Sequence, residues 1–520
     1  MKQHINNHRT AFATTATLVT TLSIAERTLG FLYRIVLSRL LGAEGLGLYQ
    51  VALSLFAVFL TLGTGGIPIS VSRLISKSKA ENNPLAERGA LSSGVFLSLL
   101  FTLPFVLLFL AFPALSSPFF SDNRGIPVFR ILILGLCFSS LYAVFRGYFW
   151  GNKRFLLPSI LEIAEESVMV LAGVLLLKSV QSPTLGASRA AWAVVISYLF
   201  SFTASLLCLL LSGGKFSPPK KQLKPLFNAT LPITSVRAGN SLIASLIASL
   251  LPIMLVRAGN TESEALALFG IVSGMAMPVL FIPSTIIGSL SLVLVPELAE
   301  DYYRKNTKRL YNNLSRGLVI AFLVACFLSP FFYAVGDALG TFAFSEPLAG
   351  EFIRKSSPIL LPMSLAMIST GMLNSMGHEK QTFLFYLISA AASLLCILFL
   401  PAVCGAYAYV LGLGASFLLS TICNLVFLAK QCKGLISFMK RARNGCGLLT
   451  AIKGGICVLP LSLLGALAYS LCTRFCGTLL SILFACSFLF ISTILLWWAI
   501  GVLPKNFLKR KNKGKSLRFS

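Results

Sequence analysis

"SIAERTLGFLYRIVLSRLLGAEGLGLYQ", residues 23–50, has an apolar, helix-forming background in which Glu26, Arg27, Arg34 and Arg39 are embedded. In lipid those charges are expensive: an arginine at the centre of a spanning helix costs about 2.5–3.5 kcal/mol on insertion scales. The rest of the chain decides whether the stretch lies in lipid. Of 520 residues, 56% are hydrophobic and 12% charged, where soluble domains carry about 25% charged residues. Apolar runs recur from end to end, each long enough to cross a hydrocarbon core of about 30 Å. The composition therefore predicts an all-α polytopic membrane protein. We count fourteen spans, from 11–41 to 477–503, with the fifth at 157–179 and a long eighth at 264–297.

The formal net charge is +27, from 44 Lys and Arg against 17 Asp and Glu. Nucleic acid is not the expected partner, because the cations sit in short turns between apolar runs instead of gathering on one face or arm. With the N-terminus inside, the inner segments hold about 30 Lys and Arg and the outer connections about five: Arg124, Lys178, Arg189, Arg257 and Arg474. That asymmetry predicts a multi-pass protein of the plasma membrane with both termini cytoplasmic. The polybasic tail, 504–520, suits anionic headgroups or simple anchoring of orientation.

Function classes fall away in turn. The hydrophilic connections are too short for a soluble catalytic head, and no Walker A or paired-aspartate motif occurs, so neither an enzyme nor an ATP-driven pump is expected. Twelve Cys are scattered without a CxxC pair and there are three His, which predicts no metal site. Two inner turns look alike: "RGYFWGNKRFLLPSILEI" (146–163) and "TGMLNSMGHEKQTFLFYLI" (370–388). Lying six spans apart, they suggest an N-terminal six-helix lobe at 11–212 and a C-terminal one at 230–430. Two additional spans at 447–503 and the basic tail follow.

Arg27 and Arg34, seven residues apart, share a helix face, with Gly30 between them and Ser38 continuing the line. Charged groups in a span normally face a bundle interior or a wet cavity, whereas Arg39 is placed to snorkel at the outer interface. The seventh span repeats the pattern: Arg237, Ser241, Ser245 and Ser249 follow at steps of four, with Asn240 alongside. Its serines suit close helix packing, and Arg237 suits cavity lining. In the fifth span, "PSILEIAEES" (158–167) puts Glu162 and Glu166 on one face with Glu165 nearby. These carboxylates, and Glu26, either neutralise arginines across helices or serve ion coupling. Guanidinium groups inside a bundle imply an anionic ligand, since their planar fork matches two phosphate oxygens at once.

"RTLGFLYRIVLSRLLGAEGLGLYQVA" (27–52), "GIPISVSRLISK" (66–77) and "RGYFWGNKRFLLPSILEIAEE" (146–166) resemble the stage V sporulation protein B group. That group lies in the polysaccharide-transporter branch of the multidrug/oligosaccharidyl-lipid/polysaccharide (MOP) superfamily, and the lipid II flippases are more distant relatives. The resemblance implies two six-helix lobes around a central cavity that opens alternately to either side. It implies an undecaprenyl-pyrophosphate-linked saccharide as substrate, lipid II for spore cortex among the options. Arg27 and Arg34 become headgroup contacts, and Arg146 and Glu165 take the places of a family Arg and Glu. Trp150 stands where the family usually carries Gln, which changes that turn. No cofactor is implied; the drive is a Na+ or H+ gradient or the membrane potential. The partners are the lipid-linked oligosaccharide, membrane lipids and cell-wall synthesis proteins. Three alternatives make different demands. A cation-coupled multidrug antiporter of the same fold needs a dominantly acidic cavity. A membrane-embedded prenyl-linked-sugar glycosyltransferase needs a large outer loop or an acidic metal site. A non-transporting scaffold needs no lumenal arginine at all.

Overall fold

The structure, a computed structural model, describes residues 2–178, 182–218, 222–441 and 447–502; of residues 2–17, 292 and 293 only the backbone is described. The basic tail at 504–520 and Cys446 lie outside the described residues. Everything regular among those residues is helical, as apolar runs without internal turn signals dictate.

The contacts group into two compact units. The first, Met1–Gly274 with Pro401–Ala406, holds most of the first half of the chain. Its helices are α1 (Lys2–Thr64), α2 (Ile67–Ala80), α3 (Pro84–Ala111), α4 (Gly125–Leu134), α5 (Leu136–Gly151), α6 (Leu156–Leu177), α7 (Pro183–Leu211), α8 (Leu223–Arg257) and α9 (Glu262–Phe269). A π-helical stretch, Gly270–Ala276, follows α9, and the boundary between the units falls inside it. The second unit, Met275–Leu400 with Tyr407–Ser520, starts at α10 (Met277–Leu280) and α11 (Ile282–Tyr303). It continues through α12 (Thr307–Leu339), α13 (Pro347–Ser356), α14 (Leu360–Ser375) and α15 (Glu379–Phe399). The short α16 (Pro401–Cys404) packs on α8 in the first unit. The second unit resumes with α17 (Tyr407–Gln431), α18 (Leu435–Arg441), α19 (Leu448–Ile456), α20 (Val458–Cys472) and α21 (Thr478–Ala499). These units divide the chain differently from the expected lobes at 11–212 and 230–430: α8 and α9 pack against α1. The last two spans pack on α12: Leu461, Ala485, Leu489 and Trp497 share a core with its Cys326 and Val335.

Thirteen helical stretches among the described residues are long and apolar enough to cross a membrane. They differ from the fourteen counted spans for identifiable reasons. The first stretch runs from Leu18 to Ala80 and contains a break at Gly42, whose φ of 67° is left-handed; glycine takes that conformation without a Cβ clash. The break is fixed from outside the helix, where Arg124 Nη2 meets Glu44 Oε1 at 2.7 Å and Arg124 Nε donates to Asp122 Oδ2 at 2.6 Å. One stretch therefore holds two spans. α6 has the length, 22 residues, and is apolar enough on average, and is missing from the thirteen because it carries three charged residues, Glu162, Glu165 and Glu166. The eighth span appears as two helical stretches, Glu262–Leu280 and Ile282–Tyr303, meeting at Phe281.

In the first unit α2 sets the packing. Ile67, Val71 and Ile75 recur every four residues and are fully buried with Leu91, Val144 and Phe149. Helix α5 approaches α2 closely because Gly147 and Gly151 present no side chain: a Cβ on Gly147 would stand 2.6 Å from Pro68 O, and one on Gly151 would stand 2.8 Å from Ile75 Cβ. The spacing is the GxxxG of membrane helix pairs. This contact holds the C-terminal end of α5, and with it Arg146, against the rest of the unit.

Candidate functional site

The N-terminal half of α1 buries one face, Tyr33, Leu37, Ser38 and Leu41, and packs on α6 and α7. That register turns Glu26, Gly30 and Arg34 toward α6. Gly30 makes room for a carboxylate: its absent Cβ would stand 2.8 Å from Glu166 Oε1. Three acidic side chains on the first turns of α6, Glu162, Glu165 and Glu166, are half-buried. From α5, Arg146 Nη1 donates to Glu162 Oε1 at 2.9 Å. Its guanidinium carbon lies 5.1 Å from the Trp150 ring centroid and 5.8 Å from that of Tyr142. Cation–π attraction to two rings adds to the ion pair, and Arg146 Nε is buried with no hydrogen-bond partner.

The charges form one electrostatic group. Glu26 feels Glu162, Arg27 and Arg146; Glu166 feels Glu26 and Arg34; Glu165 feels Arg146, Glu162 and Glu166. Four carboxylates thus share a neighbourhood with three guanidinium groups. The cations are held differently. Arg146 is committed to Glu162, whereas neither Arg27 nor Arg34 forms an ion pair among the described residues; Arg27 is exposed and Arg34 half-buried. The arrangement can receive an anion at Arg27 and Arg34, and its surplus carboxylate can take a proton or a small cation.

Several residues expected near this group lie elsewhere or act otherwise. Ser38 is fully buried and its hydroxyl donates to Ile35 O at 2.8 Å, so it packs instead of lining a cavity. On α8, Arg237 and Asn240 are exposed, and no hydrogen bond or ion pair joins them to the α1–α6 group among the described residues. Ser241 shares a 2.7 Å hydrogen bond with Thr61 of α1, and Ser245 and Ser249 are buried. The serine stripe is a packing seam, as small residues at that spacing allow. The resemblance singles out Trp150 only as a departure from the family and does not name Tyr142, although the signal for their contact with Arg146 is legible: aromatics four residues before and after it on one helix. An apolar cleft of about 460 Å³, lined by Leu110, Ile126, Arg130 and Ile131 among others, lies apart from the charged group. Among the described residues no three His, Cys, Asp or Glu side chains converge as a metal site.

The family model described as polysaccharide biosynthesis protein matches residues 13–302, which include every residue of the charged group. Stage V sporulation protein B of Bacillus subtilis (strain 168) is 24% identical over 397 residues, covering 71% of this chain and 76% of the relative. Lipid II flippase MurJ of the same organism is 23% identical over 400 residues, covering 70% and 73%. A solved structure of lipid II flippase MurJ in an inward closed conformation superposes with a TM-score of 0.69 at 15% identity, covering 94% of this chain and 100% of that one. At that identity the superposition shows a shared fold.

Proposed function

This chain belongs to the polysaccharide biosynthesis protein family, and we propose that it is a membrane flippase that moves an undecaprenyl-pyrophosphate-linked saccharide by alternating access. The observation that carries the reading is the division of labour among the arginines: Arg146 is tied to Glu162, while Arg27 and Arg34 are uncommitted on one helix face. Two free guanidinium groups with a glycine between them suit a diphosphate, which offers oxygens in pairs. The names of the similar sporulation protein and lipid II flippases support this substrate class. Glu26, Glu165 and Glu166 supply the coupling: a surplus negative charge beside the anion site makes uptake of a proton or Na+ favour release or reorientation. The protein is a transporter and not an enzyme on this reading.

The test is translocation of an undecaprenyl-pyrophosphate-linked saccharide in proteoliposomes. R27A/R34A lowers the rate at least tenfold, because each charge-assisted hydrogen bond contributes about 1.5–3 kcal/mol, while the abundance of folded protein stays normal. Unchanged transport by that variant removes the anion site. The carboxylate surplus favours a second reading, a cation-coupled multidrug antiporter. Efflux of cationic drugs that survives R27A/R34A and is lost in E165Q/E166Q would establish it.

A further inference from the structure

We propose that α18 is an interfacial helix that binds the anionic headgroups of the surrounding bilayer. After Glu379 the chain carries no Asp or Glu at all, against fifteen Lys and Arg. Within that acid-free stretch α18, Leu435–Arg441, links α17 to the last spans. Its inward side is anchored by Leu435, buried with Leu310 and Leu314 of α12. Phe438 meets the Tyr311 ring edge-on at 6.2 Å. The opposite side is open: Lys440 and Arg441 are exposed, as are Lys430 and Lys433 just before the helix, and Ile436 leaves half its surface uncovered.

None of these four cations forms an ion pair among the described residues, and the elements packed on α18 explain why. Helix α19 carries no acidic residue, and α12 carries only Asp337, near its other end and paired with Arg354 at 2.7 Å. On α11, Asp301 accepts from Asn313 of α12 at 2.8 Å and pairs with Arg309 at 3.3 Å, and Glu300 pairs with Arg304 at 3.1 Å. Four unpaired cations around one uncovered isoleucine have the chemistry of a helix lying at the headgroup level. The favoured partner is an anionic lipid, at about 1 kcal/mol for each cation near the surface. A turn that serves only to orient the chain needs the cations but not a helix docked on α12 that carries two of them. This surface is independent of the arginines of α1.

The experiment uses the full chain in nanodiscs of phosphatidylcholine, alone or mixed with phosphatidylglycerol. The readout is tryptic cleavage after Lys433, Lys440 and Arg441, normalised to cleavage after Arg474 in the turn between α20 and α21. Phosphatidylglycerol is expected to slow cleavage at all three sites at least tenfold, and high salt to restore it. In K440Q/R441Q, cleavage after Lys433 regains its speed in the mixed discs by about thirtyfold at low salt, the effect of two lost cations. An unshifted melting temperature for that variant shows that the helix remains docked. Equal rates in the two kinds of disc overturn the proposal. So does protection by inorganic phosphate in phosphatidylcholine discs, which would make the surface a site for free anions.

Discussion

Arg146 and Arg34 stand on adjoining helices and differ in what holds them, and that difference is testable at the level of single side chains. Removing Arg146 deletes the ion pair with Glu162 and raises the local surplus from one carboxylate to two. The pair is only partly exposed, 27% and 21%, so screening is incomplete and R146A is expected to destabilise by about 1–2 kcal/mol. E162Q costs less, because the neutral amide still accepts from the guanidinium and the surplus falls. R146A/E162Q recovers part of the loss, and the double-mutant cycle in detergent melting yields a coupling of about 1 kcal/mol. Additive single effects would mean that the 2.9 Å contact contributes nothing. The acidic residues were legible in the sequence as charges out of place in a span. Their assignment was not, because pairing across helices depends on register. Periodicity places Arg27, Gly30, Arg34 and Ser38 on one face; it cannot show that Ser38 is buried while Arg27 is exposed, or that Arg146 is paired with Glu162.

At the scale of helices, glycine placement decides which pairs can touch. A Cβ at Gly147 meets the backbone of Pro68, which cannot swing aside, whereas one at Gly414 meets nothing nearer than the flexible Ile359 side chain at 3.5 Å. Alanine gains about 1 kcal/mol over glycine in a helix interior, and overpacking costs about 1–3 kcal/mol. The gain wins at Gly414 and the clash wins at Gly147. G414A therefore melts at or above the parent temperature and G147A clearly below it; equal shifts would show that α2 and α5 are not in backbone contact. GxxxG is present in "RGYFWG", inside the stretch that the sequence presents as an inner turn. The spans themselves were legible from hydropathy. The break at Gly42 agrees with the expected end of the first span, while the continuity of the chain through Phe281 shows why the eighth span looked long.

For the whole molecule, the open quantity is orientation, on which the direction of transport depends. About thirty cations on one set of turns against about five on the other predict that the turn between α20 and α21 faces outward. A natural reporter sits there: Cys476 is the exposed member of the described cysteines, the others being buried or half-buried. In intact cells treated with a mild reductant, a membrane-impermeant maleimide is expected to label the chain, and C476S to remove that label while leaving inverted vesicles unlabelled at this position. The charge argument and the transport argument meet in this experiment. With the turn outside, Arg27 lies near the middle of its span, 11–41, with Arg34 and Arg39 successively nearer the outer end. On the proposed reading, a headgroup taken from the cytoplasmic face then meets Arg27 before Arg34. Labelling confined to inverted vesicles would reverse the topology, and with it the order in which a headgroup from the cytoplasmic face meets the two arginines.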